Sequence, residues 1–379
     1  MFYSGMADDP APTFIDLFAG IGGFHEALHG LGAKCKFVCE RDPSARKTYE
    51  AFHRERLGDS FFANAEGIHH PAYFHLDITD LTLSVSDKRG NRGTKNIKKV
   101  MSSFKVDVLC GGFPCQPFSQ AGKRLGFEDT RGTLFYDVCR IIHAKKPKAF
   151  FLENVRGIVN HGGEVKGVDG VSLPFGRTLS VILDSLFKPK SAGGLGYHPP
   201  GGRACKKRGK LCDREIAPGV YLVKASDHGL PQNRPRVFII GFKSAREAKQ
   251  MKIPSESPIS VEENALAEVL DVKAVYMNAK RDKQRYVGFT LRCGGKRSPI
   301  DDRRNWDQYH VLTKEGVHDN RPLTPALGLK MMGFPVRKFP KGISESQAMK
   351  QLGNSVAVPA IRAWGKEMLV AMGFKPPLS

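Results

Sequence analysis

Thr13-Phe-Ile-Asp-Leu-Phe18 is an apolar run that empties into Ala19-Gly-Ile-Gly-Gly23. The residues from Gly22 to Leu31 then set Phe24, Ala27, Leu28 and Leu31 on one helical face. A strand that turns through glycines into a helix is the opening unit of a parallel α/β sheet. The same alternation recurs downstream. Strands are predicted at Lys36–Glu40, Val106–Cys110, Ala149–Leu152 and Arg236–Phe242. Helices are predicted at Pro43–His53, Leu134–Ala144 and Leu179–Leu186. The expected fold class is therefore α/β: a doubly wound, mostly parallel sheet covered on both faces.

Three stretches interrupt the pattern. Ser86–Val100 is rich in Lys and Arg and reads as an exposed loop, and Gly193–Arg214 reads as a second basic loop. From about Lys243 to Asn320 turn formers and charges dominate, with basic residues concentrated in Arg281–Arg304. Eighty structureless residues would be unusual, so this interval is expected to be a second, smaller domain. Pro322–Met332 and Ala357–Met372 are helical again. The predicted organisation is a flexible lead-in at 1–12, a large domain at 13–242, the basic domain at 243–320, and a segment at 321–379 returning to the first domain.

Composition narrows the class of partner. The chain has 379 residues, with 59 Lys+Arg against 38 Asp+Glu, a net charge of +21. A surplus of this size favours a polyanion, above all nucleic acid. No apolar run reaches the roughly 18–20 residues needed to cross a bilayer, and no signal peptide precedes Thr13. The eight cysteines form no C-x-x-C pair. Several sit in apolar runs as buried free thiols do, which points to a reducing cytosol. The spacing of Cys205 and Cys212 matches no familiar zinc pattern, and no metal is expected.

In an open α/β sheet, ligands bind at the carboxyl ends of the strands. At those ends lie the glycine turn with Gly20, Gly22 and Gly23, then Glu40 closing the second strand, then Asp77 in His-Leu-Asp-Ile-Thr. A carboxylate at Glu40 can accept from ribose hydroxyls, and one at Asp77 from an exocyclic amine. The turn lacks the G-x-G-x-x-G spacing of pyrophosphate binders. The ordered set suits an adenosyl cofactor better. The third apolar strand ends at Cys110 and runs into Gly111-Gly-Phe-Pro-Cys-Gln-Pro-Phe-Ser119. Two prolines bracket Cys115 and stiffen the loop that presents its thiol. Glu153 follows the next apolar strand, and Gln232-Asn-Arg-Pro-Arg236 leads into the late one. These bring a nucleophile, an acid and two arginines to the same expected edge.

The pattern resembles the DNA (cytosine-5)-methyltransferase family, of the bacterial restriction–modification type. Asp16–Phe24 is similar to its cofactor motif, Gly112–Ser119 to its nucleophile motif, and Glu153-Asn-Val155 and Gln232–Arg236 to two further active-site motifs. Arg321-Pro-Leu-Thr-Pro325 and Gln351-Leu-Gly-Asn-Ser-Val356 are similar to its last two. The resemblance covers the chain outside 243–320, where the family carries its variable target-recognition domain.

The resemblance implies roles. Cys115 would add to C6 of cytosine, Glu153 would protonate N3, and Arg236, supported by Arg234, would steady the base. S-adenosyl-L-methionine would be held by Phe18, Gly20, Gly22, Gly23, Glu40, Asp77, Ile78, Leu134, Asn354 and Val356. Thr290 would support the backbone near the target base. Arg292, Lys296, Arg297, Arg303 and Arg304 would contact DNA. Arg41 stands where the family can place an aromatic or apolar cover for the adenine. The implied partner is duplex DNA, with a functionally paired restriction endonuclease, and the expected state is a cytoplasmic, nucleoid-associated monomer with no membrane contact. Two alternatives share these residues or this charge: a cytosine-5 tRNA methyltransferase, and a non-catalytic DNA-binding member.

Overall fold

The computed structural model describes residues 11–62, 73–82, 95–114, 133–167, 170–201, 214–257, 264–276, 280, 283–291 and 308–377. In chain order the first elements are β1 (Thr13–Leu17), α1 (Gly23–His29), β2 (Lys34–Cys39), α2 (Pro43–Leu57), α3 (Asp59–Phe62), β3 (Phe74–His75), α4 (Ile78–Thr82), α5 (Lys95–Val100) and β4 (Val108–Gly112). Then come α6 (Leu134–Lys145), β5 (Ala149–Val155), α7 (Arg177–Phe187), β6 (Glu215–Ala217), β7 (Val220–Lys224), β8 (Gln232–Asn233), β9 (Pro235–Phe242) and α8 (Ala245–Gln250). The last group is α9 (Ala265–Leu270), β10 (Ala274–Tyr276), β11 (Gly288–Phe289), β12 (Gln308–Leu312), β13 (His318–Pro322), α10 (Pro325–Met332), α11 (Glu345–Asn354) and α12 (Val358–Ala371).

Eight strands form one sheet in the order β3-β2-β1-β4-β5-β9-β7-β6. The first five are parallel, whereas β9 runs antiparallel to both β5 and β7. The α/β class and the mostly parallel sheet are as expected. Because β2 and β4 flank β1, the chain leaves β1 on opposite sides and a crevice opens at its carboxyl end.

Alternation along the strands divides two cores. Phe14, Val108, Cys110, Phe151, Phe238 and Ile240 face one side, with α1, α8 and α12 above them. Ile15, Leu17, Leu109, Phe150, Leu152, Val237 and Ile239 face the other, under α6 and α7. Burying each such side chain stabilises by roughly 1.5–3 kcal/mol. A one-residue slip would turn both sets around, so the register is fixed by many residues at once.

Local signals set the helix ends. The Asp42 carboxylate accepts from the backbone N–H groups of Ser44 and Ala45, and Pro43 begins α2, which extends beyond the predicted His53 to Leu57. Pro322 proves to be the last residue of β13, and α10 starts at Pro325 under a Thr324 cap. The expected loop at 86–100 needs a correction in its last part. Residues 95–100 are helix α5, because Ile97 and Val100, three apart, turn inward and Ile97 is fully buried.

A smaller antiparallel sheet, β10-β12-β13, follows in the later part of the chain. Its Val275, Tyr309 and Val311 continue the first core toward α10 and α11. Helix α8 falls within the interval 243–320, and its Ala248, with Met251 just after it, is buried in that core. The short parallel pair β8–β11 ties residues 288–289 to 232–233. Among the described residues no helix is long and apolar enough to cross a membrane.

Candidate active site

The loop after β1 is built on left-handed backbone. Phe18, Gly20 and Gly22 have φ of 55°, 56° and 87°. For Phe18 this is a strained conformation that surrounding contacts must impose. The Ala19 N–H bonds the Cys39 carbonyl at 3.1 Å, and Gly22 N–H closes a turn onto Ala19 at 2.8 Å. Glu40 receives the loop. Its Oε2 accepts from Gly20 N–H at 2.7 Å, and its Oε1 from Asp42 N–H at 2.7 Å. Burial pushes the Glu40 carboxyl above its usual range, and these two N–H bonds oppose the shift. No atom comes within 4 Å of where a Gly20 side chain would start, so the loop faces open space there. Gly23 behaves differently: a Cβ on it would run into Val356. That close approach seats the segment 354–356 beside the loop, with Asn354 exposed and Val356 buried.

Phe18, Ile78 and Leu134 belong to one apolar cluster, the core on the α6 side of the sheet. Asp77 Oδ1 accepts from Thr79 N–H and Oγ1, both at 2.9 Å, which starts α4. Arg41 Nε lies 3.5 Å from Asp77 Oδ2, with the Arg41 side chain largely exposed. The departure at Arg41 thus has a structural counterpart: its guanidinium is tethered to Asp77. The residues predicted to hold the cofactor thus stand just past the carboxyl ends of β1, β2 and β3, at the start of α6 and on the segment 354–356 seated against the loop. A carboxylate with spare lone pairs and an open loop backbone fit an adenosyl group there.

Glu153 and Arg236 are diagonal neighbours across the antiparallel pair β5–β9, with Arg236 Nε 2.8 Å from Glu153 Oε1. Burial raises the Glu153 carboxyl above its usual range, and the charges of Arg236 and Arg234 pull it back. Gly112, in register with Glu153, leaves only 3.1 Å between a hypothetical Cβ and Glu153 Oε2. A side chain there would crowd the carboxylate. Asn154 Nδ2 donates to the Phe113 carbonyl at 2.8 Å, two residues before Cys115 in sequence. Cys115 itself lies outside the described residues, so its distance to Glu153 is not part of this geometry.

Arg234 is fully buried and acts at a distance from that pair. Its guanidinium donates to the carbonyls of Leu291 (2.8 Å), Gly353 (2.7 Å) and Ser355 (2.5 Å). It ties two other chain segments, at 291 and at 353–355, to its own strand lead-in. Thr290, half-buried, donates from Oγ1 to the Asn233 carbonyl at 2.5 Å, next to Arg234. Arg292, Lys296, Arg297, Arg303 and Arg304 lie outside the described residues.

Sequence reasoning passed over several residues that shape this edge. Gln232 is buried, donating to the Met331 carbonyl at 2.6 Å and accepting from Leu291 N–H at 3.2 Å. His25, Tyr49 and His53 form a buried cluster beneath the glycine loop. The spacing of Tyr49 and His53, four apart on the buried face of α2 with Ala45 and Phe52, was the available signal.

The sequence profile of the C-5 cytosine-specific DNA methylase family matches residues 12–72, 84–287 and 263–370. The Type II methyltransferase M.HpaII of Haemophilus parainfluenzae is 34% identical, over 95% of this chain and 90% of that protein. The Type II methyltransferase M1.ScrFI of Lactococcus lactis subsp. cremoris is also 34% identical, over 94% of this chain and 77% of that protein. Among solved structures, DNMT2 of Spodoptera frugiperda, a triple mutant, superposes with a TM-score of 0.54 at 19% identity, covering 95% of this chain and 100% of that one. The last similarity speaks to fold alone. With the family profile spanning most of the chain and relatives at this identity nearly end to end, the chain belongs to the C-5 cytosine-specific DNA methylase family and is a DNA (cytosine-5)-methyltransferase.

Proposed function

We propose that the protein methylates C5 of a cytosine in a specific duplex DNA sequence, as one half of a restriction–modification pair, through covalent attack by Cys115. The observation that carries this is the buried Glu153–Arg236 ion pair beside Gly112, three residues from Cys115 in sequence. S-adenosyl-L-methionine, when bound by Phe18, Glu40, Asp77, Ile78, Leu134, Asn354 and Val356, supplies an electrophilic methyl group.

The chain's own residues do the rest. C5 of cytosine is too weak a nucleophile unaided. The Cys115 thiolate forms a bond to C6 while Glu153 gives its proton to N3, and the C5–C6 π electrons are freed to act at C5. Once C5 carries the methyl group, its proton leaves to a base. The Cys115–C6 bond then breaks, the N3 proton returns to Glu153, and the ring regains aromaticity. A carboxyl raised by burial suits the acid role, since it retains its proton nearer neutral pH. Arg236 orients Glu153 and limits that rise. C5 and C6 are inaccessible inside a duplex, so the base must swing out of the stack into the site.

The test uses labelled S-adenosyl-L-methionine with duplex DNA and tRNA side by side, for wild type and Cys115→Ala. Label in DNA from wild type alone supports the proposal. Label only in tRNA rejects the DNA substrate, and label persisting with Cys115→Ala rejects the covalent mechanism. Bisulfite sequencing of DNA from expressing cells gives the recognised site.

A further inference from the structure

We propose that His53 is a positioning residue for the cofactor loop, holding it through a hydrogen bond to the Ile21 carbonyl and through the bulk of its ring beneath Gly22. The proposal rests on the cofactor assignment above and concerns a residue that does not reach the opening itself.

Three observations meet at this ring. His53 Nε2 lies 3.1 Å from the Ile21 carbonyl oxygen, in the middle of the loop between Gly20 and Gly22. A Cβ at Gly22 would fall on the His53 imidazole, so the ring fills the space that the left-handed turn leaves below it. The ring is also locked from behind. It stacks on His25 with centroids 4.2 Å apart and planes 19° apart, and His25 Nδ1 is bonded to Tyr49 Oη at 2.5 Å. His25, Tyr49 and His53 are all fully buried. The loop is thus suspended between two side chains, Glu40 on the open side and His53 underneath.

The hydrogen bond requires a proton on Nε2, which in a neutral ring means the Nε2–H tautomer. The surroundings enforce neutrality. Burial is the main cause, and the charges of Arg337 and Arg56 and the neighbouring His29 add to it, holding His53 down to about 3 against the opposing bond to Ile21. His25, stacked on it, is likewise held low, chiefly by burial and by His53, against Glu26. A phenylalanine would keep the ring but strand the Ile21 carbonyl without its donor, whereas a glutamine would keep an N–H at similar reach.

The experiment measures S-adenosylhomocysteine affinity by titration calorimetry for wild type, His53→Phe and His53→Gln. The Phe variant should bind about tenfold more weakly, the scale of one buried carbonyl left unbonded. The Gln variant should recover to within about threefold. DNA affinity without cofactor should be unchanged in both. A Phe variant that binds like wild type, or a Gln variant as weak as Phe, overturns the proposal. Wild-type histidine NMR needs no variant: the Nε2–H tautomer should persist from pH 6 to 8, and an Nδ1–H tautomer overturns it. Wild type that fails to bind S-adenosylhomocysteine overturns the cofactor assignment and this proposal together. Wild-type binding with an unaffected Phe variant overturns this proposal alone.

Discussion

Glu153 shows how one buried carboxyl is set between opposing effects. Burial lifts it, and Arg236 at 2.8 Å and Arg234 behind it pull it down. In the acid role proposed for it, Glu153 works only while protonated, so activity should fall as pH rises through its value. Removing one opposing cation leaves burial less checked. In Arg236→Gln, the alkaline limb of kcat/KM that belongs to Glu153 should therefore move to higher pH. Glu153→Gln should lose that limb and lower kcat by about 10²–10⁴-fold, the usual contribution of general acid catalysis. Initial rates from pH 5 to 9 decide it, and a downward shift in Arg236→Gln would contradict the assigned role. Much of this site was legible in the residues. Prolines around Cys115, an acid just past an apolar strand and arginines before another are local signals. The role of Arg234 was less legible. Its three carbonyl partners lie 57 to 121 residues away in sequence, and no local pattern encodes such contacts.

Between elements, charge does part of the fastening. Glu26 on α1 takes both terminal nitrogens of Arg56 from α2, at 2.8 and 3.1 Å, and Arg337 from the C-terminal segment at 3.2 Å. Burial alone would raise the Glu26 carboxyl, but the two arginines outweigh it and hold it below its usual value. A depressed carboxyl contributes stability above its ordinary value of about 4.3 and loses it as pH falls below that point. Glu26→Gln should therefore cost about 2 kcal/mol at pH 7, less than the ~3–5 of a fully buried pair, because both arginines retain some exposure. Urea unfolding at pH 7 and pH 3 checks it: the two proteins should converge at the lower pH, and a constant gap would assign the loss to packing instead. Elements themselves were largely readable, since strands buried on both faces spell continuous apolar runs and helices announce caps such as Asp42-Pro43. Their pairing was not. That β9 enters antiparallel between β5 and β7 depends on which neighbour it meets, a non-local choice that alternation along one strand does not contain. Helix α5 was hidden for another reason: its two apolar residues sit among lysines that dominate the local composition.

At the scale of the whole molecule, the net charge of +21 stands beside a sheet edge where Arg236 is paired with Glu153 and Arg234 is held by backbone carbonyls. Arg56 and Arg337 share the single carboxylate of Glu26, and Arg41 lies against Asp77. Part of the surplus lies in Arg281–Arg304, which holds eight basic residues against three acids. Thr290 lies within that run and is bonded to Asn233, next to Arg234, so the described part of the stretch is tied to the segment that leads into β9. A duplex engaged by such a stretch sheds condensed counterions, and log K falls with log salt by about 0.9 per phosphate neutralised. Replacing Lys296 and Arg297 together by alanine should flatten that slope by about 2 and weaken binding to cognate and unrelated duplexes alike, as loss of phosphate contacts does. Fluorescence anisotropy between 50 and 200 mM salt measures both. An unchanged slope removes these two residues from the DNA interface. A loss confined to the cognate duplex would mean instead that they read bases, and recognition of the target would then reside in the basic run itself.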